Sequence, residues 1–286
     1  MSTREDTIAI IGAGEMGAAV GSRMRQAGAR VITTLGGRGA ASAARVAKSQ
    51  LEVIEDDDRI AREAGFILSI VPPGVAYSVA ERFRAPIERT NEKPIFVDCN
   101  AVSPATVRRI AEALAASRCS FIDAGIIGGP PRGSYNPRFY ASGPQAEAMT
   151  TLRNFGLDIE VLDEKIGTAS GLKMSYAGLT KGFIAIGAAM LATASRNGLG
   201  PALKAELERS QPQTLEMLRS RVPAMFPKAY RWVAEMEEIA TFLGAVDRGA
   251  PIFEGAARLY EKIATDFEAD KESSPALETI KSFFNS

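Results

Sequence analysis

The hydrophobic pattern divides the chain into two halves of different kinds. The first half alternates short, continuous apolar runs with amphipathic segments, as buried parallel strands alternate with helices. The second half shows apolar residues only at helical spacing. The runs that predict strands of a central parallel sheet lie at 7–11, 30–34, 66–71, 94–99 and 120–124.

Two further runs, at 138–142 and 158–162, fit edge strands around a helix near 144–155. The first domain is expected to close near Asp163. Beyond it, apolar residues at helical spacing predict helices over 203–218, 229–243 and 252–267.

The first predicted strand leads directly into the glycine motif Gly12–Gly17, with the sequence G-A-G-E-M-G, and a helical pattern follows. A G-x-G-x-x-G motif between a strand and a helix is typical of dinucleotide binding. Gly12 allows the tight turn, Gly14 lets the backbone approach a pyrophosphate, and Gly17 lets the helix pack against the sheet. The N-terminus of that helix favours the anionic phosphates.

The chain has 286 residues, which is long enough for two domains. We therefore predict an α/β fold with a Rossmann domain over residues 1–164. An all-α domain over 165–286 follows and begins with a long interdomain helix.

The residues after the second strand predict which dinucleotide is bound. An acidic side chain there would bond the ribose 2′-hydroxyl, whereas it would repel a 2′-phosphate. The segment 33–39 contains no acid, and the next acid along the chain is Glu52. Arg38 can grip a 2′-phosphate through two hydrogen bonds, and Thr34 can add a hydroxyl donor. We predict a preference for NADP(H), with NAD(H) as the other cofactor to test; the alternative is that Arg38 is a solvated loop residue.

Ligands of doubly wound sheets lie beyond the carboxyl ends of the strands. The third predicted strand ends at Val71–Pro73, so these residues should touch the cofactor. The fourth ends just before Asn100, whose side chain either bonds a ribose hydroxyl or the substrate, or merely closes the turn. Ser103 is expected to cap the helix that follows.

Composition narrows the range of functions. Lys and Arg total 34 and Asp and Glu total 34, so nothing suggests a nucleic-acid surface or a basic membrane face. The chain has no histidine, which excludes a histidine-based triad and histidine-ligated metals. Cys99 and Cys119 lack metal-ligand spacing, so no metal site is predicted. The N-terminus is polar, and the uncharged helical run at 182–195 is too short to span a bilayer. A cytoplasmic protein is expected.

The segment Gly167–Lys173 opens a long apolar run that extends to about Arg196. A lysine near the start of a buried helix, where two domains join, is a candidate acid/base for hydride transfer. The alternative is that Lys173 neutralises a nearby carboxylate or lies on the surface. Upstream, the loop Gly125–Gly133 follows a strand, and its N–H groups either bind a carboxylate or oxyanion or form a simple connection.

Three motifs in this order resemble the β-hydroxyacid dehydrogenase superfamily, which includes 3-hydroxyisobutyrate, tartronate semialdehyde and 6-phosphogluconate dehydrogenases and the related imine reductases. Gly12–Gly17 is similar to its G-x-G-x-M-G motif and Asp123–Gly129 to its D-A-P-V-S-G-G substrate loop. Gly167–Lys173 is similar to its G-x-x-x-x-x-K segment, in which the lysine is catalytic. The resemblance spans nearly the whole chain. It implies a 6-phosphogluconate dehydrogenase C-terminal-like helical domain and a homodimer whose helical domains interlock around the active sites.

The chain also departs from that pattern. Ile127 replaces the serine of the substrate loop, and the asparagine often found one turn after the lysine is missing at 175–177. Glu237 and Glu238 stand where the family carries a Lys-Asp pair. An acid at Glu237 suits a cationic or hydroxylated substrate better than a simple acid, and the chain looks closest to a little-characterised branch of the superfamily.

We therefore predict an NADP(H)-dependent oxidoreductase that moves hydride between nicotinamide and a small hydroxy or keto substrate. Neutral Lys173 would accept the hydroxyl proton during oxidation, and its ammonium would donate one during reduction. One alternative is imine-reductase-like reduction of a C=N bond, and another is a non-catalytic NADP(H)-binding sensor. The predicted cofactor contacts are Gly12, Ala13, Gly14, Glu15, Met16, Gly17, Thr34, Arg38, Val71, Pro72, Pro73 and Asn100. The predicted substrate contacts are Asn100, Ala101, Gly128, Gly129, Tyr176 and Glu237.

Overall fold

The computed structural model describes residues 3–244, 248–270 and 274–285. It divides into two units, Met1–Met174 and Ser175–Ser286. The first is a sheet covered by helices on both faces, and the second is helical throughout its described residues. The predicted α/β and all-α classes are therefore confirmed.

The sheet of the first unit has eight strands in the order β3-β2-β1-β4-β5-β6-β7-β8. All neighbours pair in parallel except β6 and β7, which are antiparallel. The strands are β1 Thr7–Ile11, β2 Arg30–Thr33, β3 Glu52–Val53, β4 Phe66–Ser69, β5 Ile95–Asp98, β6 Phe121–Ile127, β7 Arg138–Ser142 and β8 Asp158–Val161.

Alternate strand residues enter two separate hydrophobic clusters, because successive side chains point to opposite faces of a sheet. Ile8 and Ile10 join one cluster, whereas Ala9 and Ile11 join the other. The helices are α1 Glu15–Gln26, α2 Ala40–Ser49, α3 Asp57–Glu63, α4 Pro73–Arg89 and α5 Pro104–Leu114, with 3-10 segments at Ala115–Ser117 and Ala146–Phe155. Residues of α1 and α2 line the first cluster, and residues of α3, α4 and α5 line the second.

Three details differ from the sequence expectations. The two-residue strand β3 has no apolar run to mark it, since both its residues are exposed. The run at 138–142 forms β7 inside the sheet, between β6 and β8, and not at an edge. The segment expected to be a helix near 144–155 is a 3-10 helix. Strand pairing, which local patterns do not report, decides the first two.

The second unit continues the helix α6 Thr168–Arg196, which begins in the first unit. Its other helices are α7 Gly200–Ser210, α8 Pro212–Met225, α9 Ala229–Leu243, α10 Ala250–Ala269 and α11 Pro275–Asn285. The helix predicted over 203–218 is divided between α7 and α8. Pro212 lacks the N–H that would continue α7, but it suits the first position of a new helix.

Helix α6 is apolar on two faces. On the buried face, glycines allow close packing: a Cβ at Gly182 would lie 3.0 Å from the Phe253 ring, and one at Gly187 would lie 2.3 Å from Leu218. Within the second unit, the other face exposes five large apolar side chains to solvent. They are Tyr176, Leu179, Phe183, Ile186 and Met190.

By length and composition alone, α6 is also a candidate to cross a membrane. Its most apolar 18-residue window has a mean hydropathy of 1.4, and 50% of that window is buried within the protein. Core helices pass the same test, so this is weak evidence for a span. The expectation from 182–195 underestimated the helix, which has 29 residues.

A buried ion pair joins α6 to α9 in the second unit. The ammonium of Lys181 bonds the carboxylate of Glu235 and lies 5.1 Å from the centre of the Trp232 ring. The hydroxyl of Tyr260 on α10 donates to the Lys181 carbonyl at 2.5 Å, and burial raises the pKa of Tyr260. Sequence patterns alone did not identify this cluster.

Candidate active site

The glycine turn between β1 and α1 contains two glycines that the fold requires and one that it does not. Gly12 has a φ of +98°, and a Cβ there would lie 2.4 Å from the Ile70 carbonyl oxygen. A Cβ at Gly17 would lie 2.3 Å from the Gly12 oxygen. Gly14 has a φ of −71°, and the nearest atom to its Cβ would be 4.0 Å away. Gly14 therefore leaves open space in front of the helix.

The other residues predicted in this turn differ in exposure. Ala13 is buried, Met16 is half-buried and Glu15 is exposed. The Glu15 carboxylate pairs with Arg132 at 3.2 Å, which ties the start of α1 to the loop after β6. With glycine at the N-cap, no capping side chain competes with an anion for the first amides of α1.

Asn100 fastens the tips of β4 and β5 to each other. Its side-chain oxygen accepts the Val71 N–H at 2.6 Å. Its side-chain nitrogen donates to Ser69 at 3.0 Å and to Asp98 at 2.8 Å. Both amide hydrogens are thus engaged, and the turn-closing role is observed. Pro72 and Pro73 follow at the start of α4, with Pro73 as its first residue.

The loop after β2 is bonded by an acid from the connection between β3 and α3. Glu55 accepts the Thr34 hydroxyl at 3.0 Å and the Leu35 N–H at 3.1 Å. The segment 33–39 itself contains no acid, but the β3–α3 connection brings Glu55 to it from 21 residues downstream. Arg38 is exposed, and no described side chain pairs with it.

The loop after β6 is held by a tyrosine. Gly128 has a φ of +131°, and a Cβ there would lie 2.4 Å from the Tyr135 hydroxyl. The Gly129 N–H donates to that hydroxyl at 3.1 Å. The amide that was expected to bind a carboxylate or oxyanion thus has a side-chain partner. Arg23 of α1 donates to the carbonyls of Gly133 and Tyr135 and so fixes the loop against α1.

Lys173 lies in the second turn of α6, beside β6. Its ammonium donates to the Ile126 carbonyl at 2.6 Å, and the side chain is half-buried. A Cβ at Gly125 would lie 3.1 Å from the Lys173 Cβ, so the strand and the helix are in close contact here. The amino group therefore lies at the root of the loop that carries Gly128 and Gly129.

The remaining predicted residues are distributed between the units. Ala101 is half-buried after β5 in the first unit. Tyr176 and Glu237 belong to the second unit, where both are exposed, on α6 and α9 respectively.

Three polar residues near these loops were missed as site residues. Glu55 and Tyr135 contact their partners across 20 and 6 residues of chain respectively, and no local pattern marks either contact. Asp123 stands at the head of the substrate-loop motif, but the sequence did not show that its carboxylate meets the start of α6. The substrate-loop motif that begins at Asp123 was the sequence signal that could have identified this residue.

Two protein-family models match the chain. The model of the NAD binding domain of 6-phosphogluconate dehydrogenase matches residues 7–155. A domain of unknown function, DUF1932, matches residues 194–263. The first match contains strands β1 to β7, and β8 lies just beyond it.

A curated relative is 3-hydroxyisobutyrate dehydrogenase from Pseudomonas aeruginosa. It is 29% identical over 219 residues, which cover 70% of this chain and 68% of the relative. A solved structure of a conserved protein of unknown function, described as similar to 3-hydroxyacid dehydrogenases, is 30% identical with a TM-score of 0.68. That match covers 91% of this chain and 97% of the other.

More distant structures share the fold. Mycobacterium tuberculosis 3-hydroxyisobutyrate dehydrogenase with L-serine has a TM-score of 0.72 at 18% identity, covering 98% of this chain and 99% of the other. An imine reductase from Myxococcus stipitatus in complex with NADP+ has a TM-score of 0.56 at 18% identity, covering 92% and 95%. A variant of that reductase was solved with NAD+, at a TM-score of 0.59 and 19% identity, covering 92% and 94%.

The different surroundings of Gly14 and Gly17 predict different effects of adding a methyl group. Gly17→Ala should lower the free energy of unfolding by about 1–3 kcal/mol, because its Cβ meets a carbonyl oxygen. Gly14→Ala should leave it unchanged or raise it by up to about 1 kcal/mol. In Gly14→Ala, the added methyl group should also weaken dinucleotide binding at least ~10-fold, since it fills the space that a pyrophosphate would approach.

Urea denaturation and fluorescence titration with NADPH and NADH measure these effects on the same preparations. Full dinucleotide affinity in Gly14→Ala would contradict the assignment of this turn to phosphate binding.

Proposed function

The chain belongs to the family of the NAD binding domain of 6-phosphogluconate dehydrogenase, within the β-hydroxyacid dehydrogenase superfamily, and we propose that it is an NADP(H)-dependent oxidoreductase of small hydroxy or keto substrates. That it is an NAD(P)-dependent oxidoreductase follows from the family and its relatives. The cofactor preference, the substrate and the residue roles below are our proposals.

The observation that carries the proposal is the position of Lys173. Its ammonium lies 2.6 Å from the Ile126 carbonyl, at the root of the glycine loop and in the same unit as the dinucleotide turn. A lysine held there can exchange a proton with a substrate oxygen on that loop. As a neutral amine it accepts the hydroxyl proton of an alcohol, and as an ammonium it donates a proton to the oxygen of a carbonyl.

The residues of the turn fit a bound dinucleotide. Gly14 leaves room for a pyrophosphate, and the first amides of α1 have no capping side chain. Asn100 holds Val71 and the strand tips next to this turn. A nicotinamide bound there would supply or accept the hydride.

NADP(H) preference rests on the balance of charge in the loop after β2. Arg38 is exposed and can turn toward a 2′-phosphate, with which a guanidinium forms paired hydrogen bonds. Glu55 opposes it, since its carboxylate repels a phosphate and can accept a ribose hydroxyl. We propose that the attraction between Arg38 and the phosphate exceeds the repulsion by Glu55. The hydrogen bonds from Thr34 and Leu35 already partly neutralise the Glu55 carboxylate.

The substrate is proposed to lie on the loop after β6. Gly128, Gly129 and Ala101 of the first unit would orient it. For Tyr176 and Glu237, which belong to the second unit, substrate contact stays a prediction from the sequence. Ile127 offers no hydroxyl to a carboxylate, and Tyr135 occupies the Gly129 amide. These two features favour a hydroxylated or cationic substrate over a simple acid.

We propose that the protein is a cytoplasmic homodimer that pairs through α6. Tyr176, Leu179, Phe183, Ile186 and Met190 are exposed and follow one another at intervals of three and four residues. That spacing is typical of the hydrophobic seam along which two helices pack together. The family resemblance implies such an interlocked dimer.

Lys173→Met should lower kcat at least ~10²-fold, which is the lower bound for general acid–base catalysis, while NADPH binding stays within about 2-fold. The assay follows NADPH oxidation with glyoxylate, hydroxypyruvate, acetone and the cyclic imine 2-methylpyrroline. Lys165→Met, at an exposed lysine just before the same helix, is the matched control. Near-normal turnover by Lys173→Met would remove this residue from the mechanism.

Arg38→Ala should weaken NADPH at least ~10-fold but NADH by less than ~3-fold, since only NADPH carries the phosphate. Glu55→Gln should change selectivity in the opposite direction and strengthen NADPH, because it removes a repelling charge. Equal losses of both dinucleotides in Arg38→Ala would contradict a role of Arg38 in binding the 2′-phosphate. Fluorescence titration at fixed ionic strength measures both variants.

Leu179→Glu should convert the dimer to a monomer, because it places a charge in the centre of the apolar stripe, where Leu179 is 79% exposed. Sedimentation velocity checks the mass of each variant. Leu199→Glu, at an exposed leucine outside the stripe, is a surface control with the same charge change. A wild-type protein that is monomeric at micromolar concentration would refute the pairing through α6.

A further inference from the structure

The carboxylate of Asp123 on β6 is buried and accepts four hydrogen bonds. Its Oδ1 accepts the Ser170 hydroxyl at 2.7 Å. Its Oδ2 accepts the Gly167 N–H at 2.9 Å, the Ser170 N–H at 3.1 Å and the Ser142 hydroxyl at 3.1 Å. Ser142 lies directly opposite Asp123 in the antiparallel pairing of β6 with β7. Three of these donors belong to the first turn of α6 or the residue before it.

The start of α6 has no capping side chain of its own. The residue before its first helical position is Gly167, so the first amides must find acceptors elsewhere. Gly167 and Ser170 bond Asp123, Ala169 bonds the Ser142 hydroxyl at 3.0 Å, and Thr168 bonds the Lys165 carbonyl at 3.3 Å. All four amides are thus satisfied, three of them by side chains on β6 and β7.

The same strand also holds Lys173. The lysine follows Ser170 by three residues and therefore lies on the same side of the helix, one turn further along. Its ammonium bonds Ile126, three residues beyond Asp123 on β6. Between these two contacts, Gly125 approaches the helix so closely that a Cβ would lie 2.9 Å from the Ala169 oxygen.

We propose that Asp123 is a positioning residue for Lys173: by capping α6 from β6, it fixes the helical turn that carries the amino group. This role rests on the proposed function of Lys173. Without the Asp123 carboxylate the first turn of α6 has no acceptor for two of its amides, and it frays or shifts along the strand. The lysine then loses its alignment with the loop, while the dinucleotide turn at Gly12–Gly17 is untouched.

Two opposing effects act on the charge of this carboxylate. Burial raises the pKa of Asp123 above its ordinary value. The four hydrogen-bond donors and the N-terminus of α6 act the other way and favour the ionised form. Asparagine has the same shape, and its oxygen can accept the three bonds made to Oδ2 while its nitrogen donates to Ser170.

The test compares Asp123→Ala with Asp123→Asn, using NADPH and the best of the four substrates named above. We expect kcat to fall at least ~10-fold in Asp123→Ala, because displacement by about 1 Å can cost 10²-fold. NADPH affinity should stay within about 2-fold. Asp123→Asn should keep kcat within about 5-fold of wild type, because it keeps the cap. An equal loss in both variants would overturn positioning through these hydrogen bonds.

Ser103→Ala controls for general loss of stability. Ser103 is buried and caps α5 in the same unit through the Thr106 N–H at 3.2 Å. The Ser103→Ala variant should have a lower melting temperature and an unchanged kcat. If Asp123→Ala does not fold, Ser142→Ala takes its place, since it removes only the acceptor of the Ala169 amide and one donor to Asp123.

A double-mutant cycle with Lys173→Met separates the two hypotheses. If Asp123 acts through Lys173, Asp123→Ala should reduce kcat by less than ~2-fold in the Lys173→Met background. A full, additive loss there would overturn the role of Asp123 and leave that of Lys173 intact. Normal turnover by Lys173→Met alone would overturn both.

Discussion

The contact between β6 and the start of α6 is the constraint on which the rest of the candidate site depends. One buried carboxylate, that of Asp123, accepts the amides of Gly167 and Ser170 and two hydroxyls. Leaving a buried amide unpaired costs about 1–3 kcal/mol, so this cap strongly favours one register of helix against strand. In that register Lys173 reaches Ile126 and Gly125 meets Ala169. These contacts therefore tie the position of the loop after β6 to that of α6, the helix that follows β8.

The sequence was informative where a single short segment determines the structure. The apolar run of β1 is buried at every residue, and β7 was predicted with its observed bounds. Gly12 and Gly17 were identified as required by the turn, and the close contacts that a Cβ at either position would make with a carbonyl oxygen explain why. Ser103 caps α5 as expected, since its hydroxyl accepts the Thr106 N–H.

The sequence was uninformative where two distant segments meet. Glu55 reaches the β2 loop only because the short strand β3 pairs with β2, and neither exposed residue of β3 predicts that pairing. The exposed stripe on α6 was not distinguishable from its buried face, since both are apolar. Lys181 also lay within that apolar run, and its partner Glu235 is 54 residues away. A buried charge of this kind is tolerated only with its partner in place.

The bond between Tyr135 and Gly129 bears on what the loop can recognise. A neutral hydrogen bond of this kind contributes about 1 kcal/mol, and one to a charged oxygen contributes roughly twice that. A substrate carboxylate could thus displace the Tyr135 hydroxyl from the Gly129 amide, but the net gain is only about 1 kcal/mol. Since Ile127 adds no hydroxyl donor, the loop by itself gives an acidic substrate little advantage over a neutral one. Selectivity must then come from side chains that contact the rest of the substrate.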